Sequence, residues 1–222
     1  MSGQIEKCGS KMNLNRQCIL RISRYQNALE RLKSLGFVKV FSVNLADAGG
    51  VSPSMVRKDF SMFGITGNRR GGYNVDELIR RIRDILGKND LTKVVVIGSG
   101  NIATALSRHQ GFEFGGIRIT AAFDIDPPKY DTSAPVPVLP MDDFYGYVQE
   151  HHIRIGILAV PHTAAHHVSE IMISAGIKGI LNFAPIQLRV PDDVVVNNVN
   201  LEVEFENLIY FVNVRERTNG IL

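Results

Sequence analysis

The most specific chemical signature in the chain is Gly98-Ser99-Gly100-Asn101-Ile102-Ala103. It follows the β-branched run Lys93-Val94-Val95-Val96-Ile97 and precedes Thr104-Ala105-Leu106, which reads as helix. A bare Gly-x-Gly-x-x-Ala says little. Between a strand and a helix it marks a tight turn whose backbone can approach a pyrophosphate lying on the helix N-terminus. Ala103 stands where a third glycine is usual and is still small enough for helix–strand packing. The next strand, residues 117–123, ends at Asp124, 26 positions past Gly98. A carboxylate there accepts a hydrogen bond from a ribose 2′-hydroxyl and repels a 2′-phosphate, so NAD(H) is expected rather than NADP(H). The alternative is a loop aspartate capping the turn before Pro127-Pro128.

A second constellation suits a polyanion. Ser52-Pro53 reads as a hydroxyl N-cap followed by proline at the first helical position, opening a helix that runs to Phe63 and stops at Gly64. Val56, Phe60 and Phe63 fall on one stripe of that helix, and Ser54, Arg57, Lys58 and Ser61 on the opposite side. A DNA-recognition helix needs that split, with a packed back and a front of donors for phosphates and base edges. The following Thr66-Gly67-Asn68-Arg69-Arg70-Gly71-Gly72-Tyr73 is flexible, basic and ended by an aromatic. It reads as a wing against the DNA backbone or minor groove, the alternative being a solvated basic hairpin. Ser52, Ser54, Arg57, Lys58, Ser61, Arg69, Arg70, Gly71 and Tyr73 are therefore the candidate DNA contacts.

The elements that must hold these residues follow from periodicity. Residues 15–36 carry Ile22, Tyr25, Leu29 and Leu32 at helical spacing, and a short strand spans 38–41. Ser42 can cap a short helix through Ala48 that ends at Gly49-Gly50, which gives helix, glycine turn and second helix. Asn74 and Glu77 cap a helix carrying Leu78, Ile82, Ile85 and Leu86, closed by Gly87. Past Asp124, strand and helix alternate over 155–160, 163–175, 179–182 and 194–196. Ligands in open α/β sheets bind at the carboxyl edge, so the turns holding Val160-Pro161 and Asn182-Phe183-Ala184 are candidates to line a nicotinamide. Ordinary proline-punctuated loops are the alternative there. The last helix, 201–212, begins acidic and finishes Leu208-Ile209-Tyr210-Phe211-Val212, apolar on all sides, as expected of a helix buried against a partner subunit.

Charge separates the two halves. Residues 1–88 hold 16 Lys+Arg against 7 Asp+Glu, whereas the remainder holds 9 against 15, within an overall net of +3. Nucleic acid is thus expected at the basic N-terminal end. No apolar run approaches the roughly 20 residues of a membrane span, and Met1-Ser2-Gly3-Gln4-Ile5 opens no secretory signal, so a cytoplasmic protein is expected. Cys8 and Cys18 lack a Cys-x-x-Cys spacing and are read as reduced thiols, with a regulatory disulfide as the alternative. His162, His166 and His167 include an i, i+4 pair without a third ligand nearby, so no metal is expected.

In order along the chain stand Val56-Arg57-Lys58-Asp59-Phe60-Ser61-x-Phe63-Gly64, Arg70-Gly71-Gly72-Tyr73-Asn74-Val75, Ile85-Leu86-Gly87, Phe123-Asp124-Ile125-Asp126 and Gly179-Ile180-Leu181-Asn182-Phe183-Ala184-Pro185. From about residue 14 to 212 the chain resembles the Rex family of redox-sensing transcriptional repressors. The resemblance implies an α/β protein: a flexible tail over 1–13, an N-terminal winged-helix (helix-turn-helix) domain over 14–88 and a Rossmann-type parallel-sheet domain over 89–199. A C-terminal domain-swapped helix and tail over 200–222 would complete a homodimer, its helix exchanged between subunits. It further implies binding to a palindromic operator when NADH is low, release when NADH binds, and no catalysis. Asn27, Asn200, Leu201, Phe205, Leu208, Tyr210 and Phe211 become the candidate dimer and switch residues, and His109 a candidate at the nicotinamide end. Family members usually carry Arg, Asp and Tyr at the positions of Asn27, Asn200 and His109, the Arg and Asp forming an intersubunit ion pair. Both charges are replaced together here.

Two further readings compete with the repressor. An NAD-dependent oxidoreductase with an accessory N-terminal domain needs a substrate domain, for which about 100 residues after Asp124 leave no room. A DNA-binding protein whose Rossmann domain binds coenzyme A, or only dimerises, is the other.

Overall fold

The computed structural model describes residues 16–68, 71–88, 90–109 and 111–218. The chain divides into two compact units, Met1–Asp90 and Leu91–Leu222.

The first unit is built on three helices, a two-stranded ribbon and a closing helix. Helix α1 (Arg16–Ser34) buries Ile22, Tyr25 and Leu29 of the stripe its periodicity predicts and adds Cys18, while Leu32 is half-buried. Strand β1 (Lys39–Val40) leads into α2 (Ser42–Gly49), and a short turn into α3 (Pro53–Met62). Strand β2 (Tyr73–Asn74) pairs antiparallel with β1, Val40 opposite Tyr73, before α4 (Val75–Leu86). One core joins them, with Ile22, Leu29, Leu45, Val56, Phe60 and Ile82 fully buried. Phe60 is its centre, edge-on to Tyr25 at 5.6 Å and to Tyr73 at 5.1 Å. The predicted caps at Ser52 and Asn74 form, their side-chain oxygens accepting from the N–H groups of Met55 (3.3 Å) and Glu77 (2.9 Å). Ser42 does not cap α2. It is the first helical residue, while the Asn44 side chain accepts from the N–H of Phe41 at 2.7 Å, so an amide one turn inside replaces the expected hydroxyl.

The second unit is a doubly wound sheet. Strands β3 (Thr92–Ile97), β4 (Ile117–Asp124), β5 (Val138–Pro140), β6 (Ile155–Leu158), β7 (Gly179–Asn182) and β8 (Val195–Asn198) are all parallel, in the order β5-β4-β3-β6-β7-β8. Helices α5 (Asn101–Ser107) and α6 (Gly111–Phe114) follow β3, α7 (Phe144–Glu150) follows β5, and α8 (His162–Ser174) follows β6. On one face Phe123, Leu158 and Ile180 pack with Phe144 and Met172 of α7 and α8; on the other Val94, Val96 and Ile119 pack with Ala103 of α5. Strand order reverses between β3 and β6, and a crevice at their carboxyl ends is where such sheets bind ligands. β5 and α7 carry no signal in the periodicity, since a three-residue strand ending in proline shows no alternation. Helix α9 (Leu201–Thr218) closes the described chain with no buried residue. Phe205, Leu208, Tyr210 and Phe211 on it are each more than half exposed.

Candidate dinucleotide site and nucleic-acid interface

At the crevice a cavity of about 770 Å³ opens, walled by Gly98, Ser99, Gly100, Asp124, Val160 and Pro161 among others. β3 delivers the glycine turn, β4 the aspartate and β6 the Ala159-Val160-Pro161 turn, all at carboxyl ends. Gly98 takes φ +93°, and a Cβ there would run into the carbonyl oxygen of Ala159, so only glycine fits. At Gly100 a Cβ would meet nothing within 4 Å, which leaves open space directly before α5. The N–H groups of Asn101, Ile102 and Ala103 lie in the first turn of that helix, the place where helical amides lack internal partners. The backbone thus fits a dinucleotide pyrophosphate, and the chain's glycines provide the approach it needs.

Asp124 is 8% exposed and nearly saturated. Its Oδ2 accepts from the Ser99 N–H (2.9 Å), the Ser99 hydroxyl (2.6 Å) and the Lys129 ammonium (3.2 Å), and its Oδ1 from the Asp126 N–H (3.0 Å). Burial alone would raise its pKa, but the Ser99, Asp126 and Lys129 donors outweigh burial and hold it down to about 2. The carboxylate is therefore fixed and ionised at neutral pH, and Oδ1 keeps room for one more donor, such as a ribose hydroxyl.

The structure does not bring the other expected cofactor residues to this cavity. Asn182 is fully buried, its amide nitrogen donating to the Ile186 carbonyl and to Asn198 Oδ1 (both 2.8 Å) while its own oxygen accepts from the Ala184 N–H (2.9 Å). That side chain is spent on shaping the turn. Phe183 and Ala184 pack into the two hydrophobic clusters of the sheet. His109 lies beyond the C-terminal end of α5, edge-on to Phe112 at 4.8 Å, in a separate cavity with Arg108 and Arg118. Within the chain, a helix carries it from the glycine turn toward the start of β4. Residues that the sequence did not mark as cofactor candidates also line this cavity: Ile125, Met141, Ala164, His167 and Ile171.

In the first unit α3 presents Ser54, Arg57, Lys58 and Ser61 outward, all exposed, with Val56 and Phe60 buried behind them. Ser52 shares a 2.7 Å hydrogen bond with Ser54. Arg57 donates Nη1 to the Ser42 hydroxyl at 2.8 Å, so α2 orients the guanidinium. In the hairpin Asn68 and Gly72 pair, the Gly71 N–H donates to Asn68 Oδ1 at 3.2 Å, and Tyr73 turns its ring inward onto Phe60. Arg69 and Arg70 lie outside the described residues. Asp59, which sits among the exposed donors in sequence, is 1% exposed. Arg21 grips it with Nε and Nη2, both at 2.7 Å, the Tyr25 hydroxyl donates at 2.9 Å and the Cys18 thiol at 3.4 Å. A signal for it exists: Asp59 shares the stripe of Val56, Phe60 and Phe63, and Arg21 borders that of Cys18, Ile22 and Tyr25. Opposite charges on two apolar stripes point to a buried pair.

Residues 15–61 match the family described as "Putative DNA-binding protein N-terminus", and residues 89–186 the family described as "CoA binding domain". Among curated relatives, the redox-sensing transcriptional repressor Rex of Desulforamulus reducens is 43% identical over 90% of this chain and 95% of its own. The Rex of Carboxydothermus hydrogenoformans is 42% identical over 86% and 93%. The chain belongs to the Rex family of redox-sensing transcriptional repressors. Crystal structures of RSP, a Rex-family repressor 32% identical to it, superpose over nearly the whole chain. The RSP complex with NADH covers 96% of this chain and 100% of its own at a TM-score of 0.82. That with NAD⁺ and operator DNA covers 95% and 98% at 0.85. The parallel sheet and the N-terminal helices are thus the Rex fold.

Proposed function

We infer that this chain is a transcriptional repressor that binds operator DNA when NADH is low and lets go when NADH binds. The carrying observation is one chain holding both a glycine turn closed by a fixed, ionised Asp124 and an exposed donor face on α3, in a family whose solved members hold NADH, or NAD⁺ with operator DNA. Bound dinucleotide would supply the redox signal. The chain's own part is to hold the pyrophosphate on the Gly98–Gly100 turn, the adenosine ribose at Asp124 and the nicotinamide side along Val160-Pro161. An effector shifts DNA binding only if it binds two states of the protein unequally, so NADH and operator must oppose each other reciprocally.

The residues of α3 and the wing, Arg69 and Arg70 included, are the DNA contacts in this reading, with 14–88, 89–199 and 200–222 as its functional segments. Exposed apolar residues all round α9 fit a helix exchanged within a homodimer, whose two-fold symmetry suits a palindromic operator. Among the described residues no helix is long and apolar enough to cross a membrane, and cytoplasmic placement beside the DNA is proposed. In this reading the protein acts by binding and not by catalysis, in keeping with relatives named as transcriptional repressors. The test is operator binding with NADH, with NAD⁺ and with no nucleotide. Weakened binding with NADH alone is expected. Equal binding in all three would leave a scaffold reading, and release by coenzyme A would favour the other ligand.

A further inference from the structure

Beside the dinucleotide cavity lies a second one of about 450 Å³, and Ser99 and Lys129 wall both. Its other polar walls are Thr104, Ser107, Arg108 and Asp131, over a floor that includes Ala122 and Val138. Two cations and three hydroxyls therefore surround a space immediately past the carboxylate that meets the adenosine ribose. Lys129 is the hinge between the cavities. It reaches Asp124 at 3.2 Å and Asp126 at 3.7 Å, and it remains 44% exposed on its side chain. Asp131, the remaining carboxylate on the wall, is already engaged by the hydroxyl of Ser133 at 2.6 Å and its N–H at 2.9 Å.

We propose that this second cavity is a phosphate-accepting annex to the dinucleotide site, with Lys129 and Arg108 as its cations and the charge of Asp124 as the element that keeps a 2′-phosphorylated adenosine out. The inference rests on reading the larger cavity as the NAD(H) site. A phosphate placed between Ser99 and Lys129 would exchange the Lys129–Asp124 ion pair for a Lys129–phosphate pair, a charge-assisted interaction of the same kind. With Asp124 ionised the phosphate faces a fixed negative charge; with a neutral residue there, it meets a cation already in place. Discrimination against NADP(H) is then a competition between two anions for one ammonium, and not simple exclusion.

The experiment uses the full chain and titrates NADH and NADPH by fluorescence against Asp124→Asn, Lys129→Met, Arg108→Ala and the two double variants that include Asp124→Asn. Asp124→Asn should raise NADPH affinity about tenfold, the scale of one added charge-assisted hydrogen bond. Adding Lys129→Met should abolish that rise, and adding Arg108→Ala should cut it severalfold. Adenosine 2′,5′-bisphosphate should reproduce the pattern and AMP should not, which separates the 2′-phosphate from the rest of the ligand. A rise in NADPH affinity that survives the removal of either cation undiminished overturns the annex. So does a Lys129→Met variant that shifts NADH and NADPH by equal factors, since Lys129 would then only buttress Asp124. Failure of the unmodified chain to bind NADH overturns the site reading beneath it, which is a different outcome from NADH binding without the Asp124–Lys129 coupling.

Discussion

Asp59 and Asp124 are both buried carboxylates with several donors each, and they are used in opposite ways. Asp59 is enclosed between α1 and α3, its oxygens taken by Arg21, Tyr25 and Cys18, with nothing left to offer a ligand. Asp124 stands at the end of a strand on the wall of a cavity, held by Ser99, Asp126 and Lys129. In both, burial works against the charge and the donors outweigh it, so both carboxylates sit below their ordinary range. The difference lies in the partners. A guanidinium fork locked into a core fixes one helix against another, whereas a backbone amide, a hydroxyl and a flexible ammonium leave a site that a ligand can remodel.

The largest expected effect breaks the closed site. Asp59→Ala strands Arg21, whose side chain is 19% exposed, in a largely apolar setting and should cost about 3–5 kcal/mol of stability in the first unit. Urea unfolding followed by near-ultraviolet signals of Tyr25 and Tyr73 measures it, and NADH binding by the second unit should survive. The same contrast appears in acid. Because both carboxylates are depressed on folding, their stabilisation is present above the ordinary carboxylate pKa of about 4 and lost as pH falls below it. For Asp124 that loss runs down to about pH 2. Asp59→Asn should therefore flatten the acid limb of stability for the first unit only. Burial raises the pKa of the Cys18 thiol, with Asp59 adding to the shift, so it should resist alkylation until the unit unfolds.

Next in size is a block at the open site. Gly98→Ala puts a methyl against the Ala159 carbonyl at a φ that side chains avoid, and NADH affinity should fall by about a hundredfold, equivalent to about 2.7 kcal/mol. Operator binding without nucleotide should persist while release by NADH disappears. If the variant still released DNA at ordinary NADH concentrations, the glycine turn would not be the pyrophosphate seat.

Smaller still are single contacts on the DNA face. Arg57→Ala or Lys58→Ala should weaken operator binding by about 1–3 kcal/mol where the side chain reads a base edge. Arg69 and Arg70 should contribute salt-dependent, sequence-tolerant affinity. The structure adds a finer test, since Ser42 orients the Arg57 guanidinium at 2.8 Å. Ser42→Ala should reproduce part of the Arg57→Ala loss, and the two together should cost no more than Arg57→Ala alone. Unchanged binding after replacing all four basic residues would remove the DNA assignment from this face.

Legibility in the sequence follows locality. Strand β3, the glycine turn, Asp124 and the faces of α3 are readable because each depends on spacing within one element or one turn. Asp59 goes unnoticed among surface residues because its partners lie 34 to 41 positions away on α1. Lys129 escapes notice because a lysine after two prolines carries no local signal until the fold turns it back onto Asp124. Asn182 is expected at the ligand, and the three hydrogen bonds that tie its side chain into its own turn become visible only once the fold is in place. His109 is assigned by resemblance alone, and the seven residues of α5 separate it from the site.

The smallest effect concerns the proposed switch, where the resemblance implies a charged pair and this chain carries Asn27 and Asn200. Asn27 is exposed on α1, and Asn200 has work of its own: its Oδ1 accepts from the N–H groups of Glu202 (3.0 Å) and Val203 (3.3 Å), capping α9. Only its amide N–H₂ is left to reach another subunit, so an Asn27–Asn200 contact in the dimer would be a single neutral hydrogen bond donated by Asn200. Such a bond contributes about 0.5–1.5 kcal/mol and is nearly indifferent to salt, whereas a charged pair is stronger and screened. This chain should therefore switch with a smaller NADH preference for the released state than relatives with both charges. Asn200→Asp alone should keep the cap, because a carboxylate accepts the same two amides and suits a helix N-terminus by a few tenths of a kcal/mol. Asn27→Arg alone adds an unpaired charge to the surface and should perturb NADH-driven operator release. Combined, the two should couple by about 1 kcal/mol at low salt, with the coupling fading as salt rises. Measured by operator release over a range of NADH and salt, strict additivity of the two substitutions would mean that these positions never meet. The latch would then have to be sought among the exposed apolar residues of α9, where Phe205, Leu208 and Phe211 act through packing and respond to temperature more than to salt.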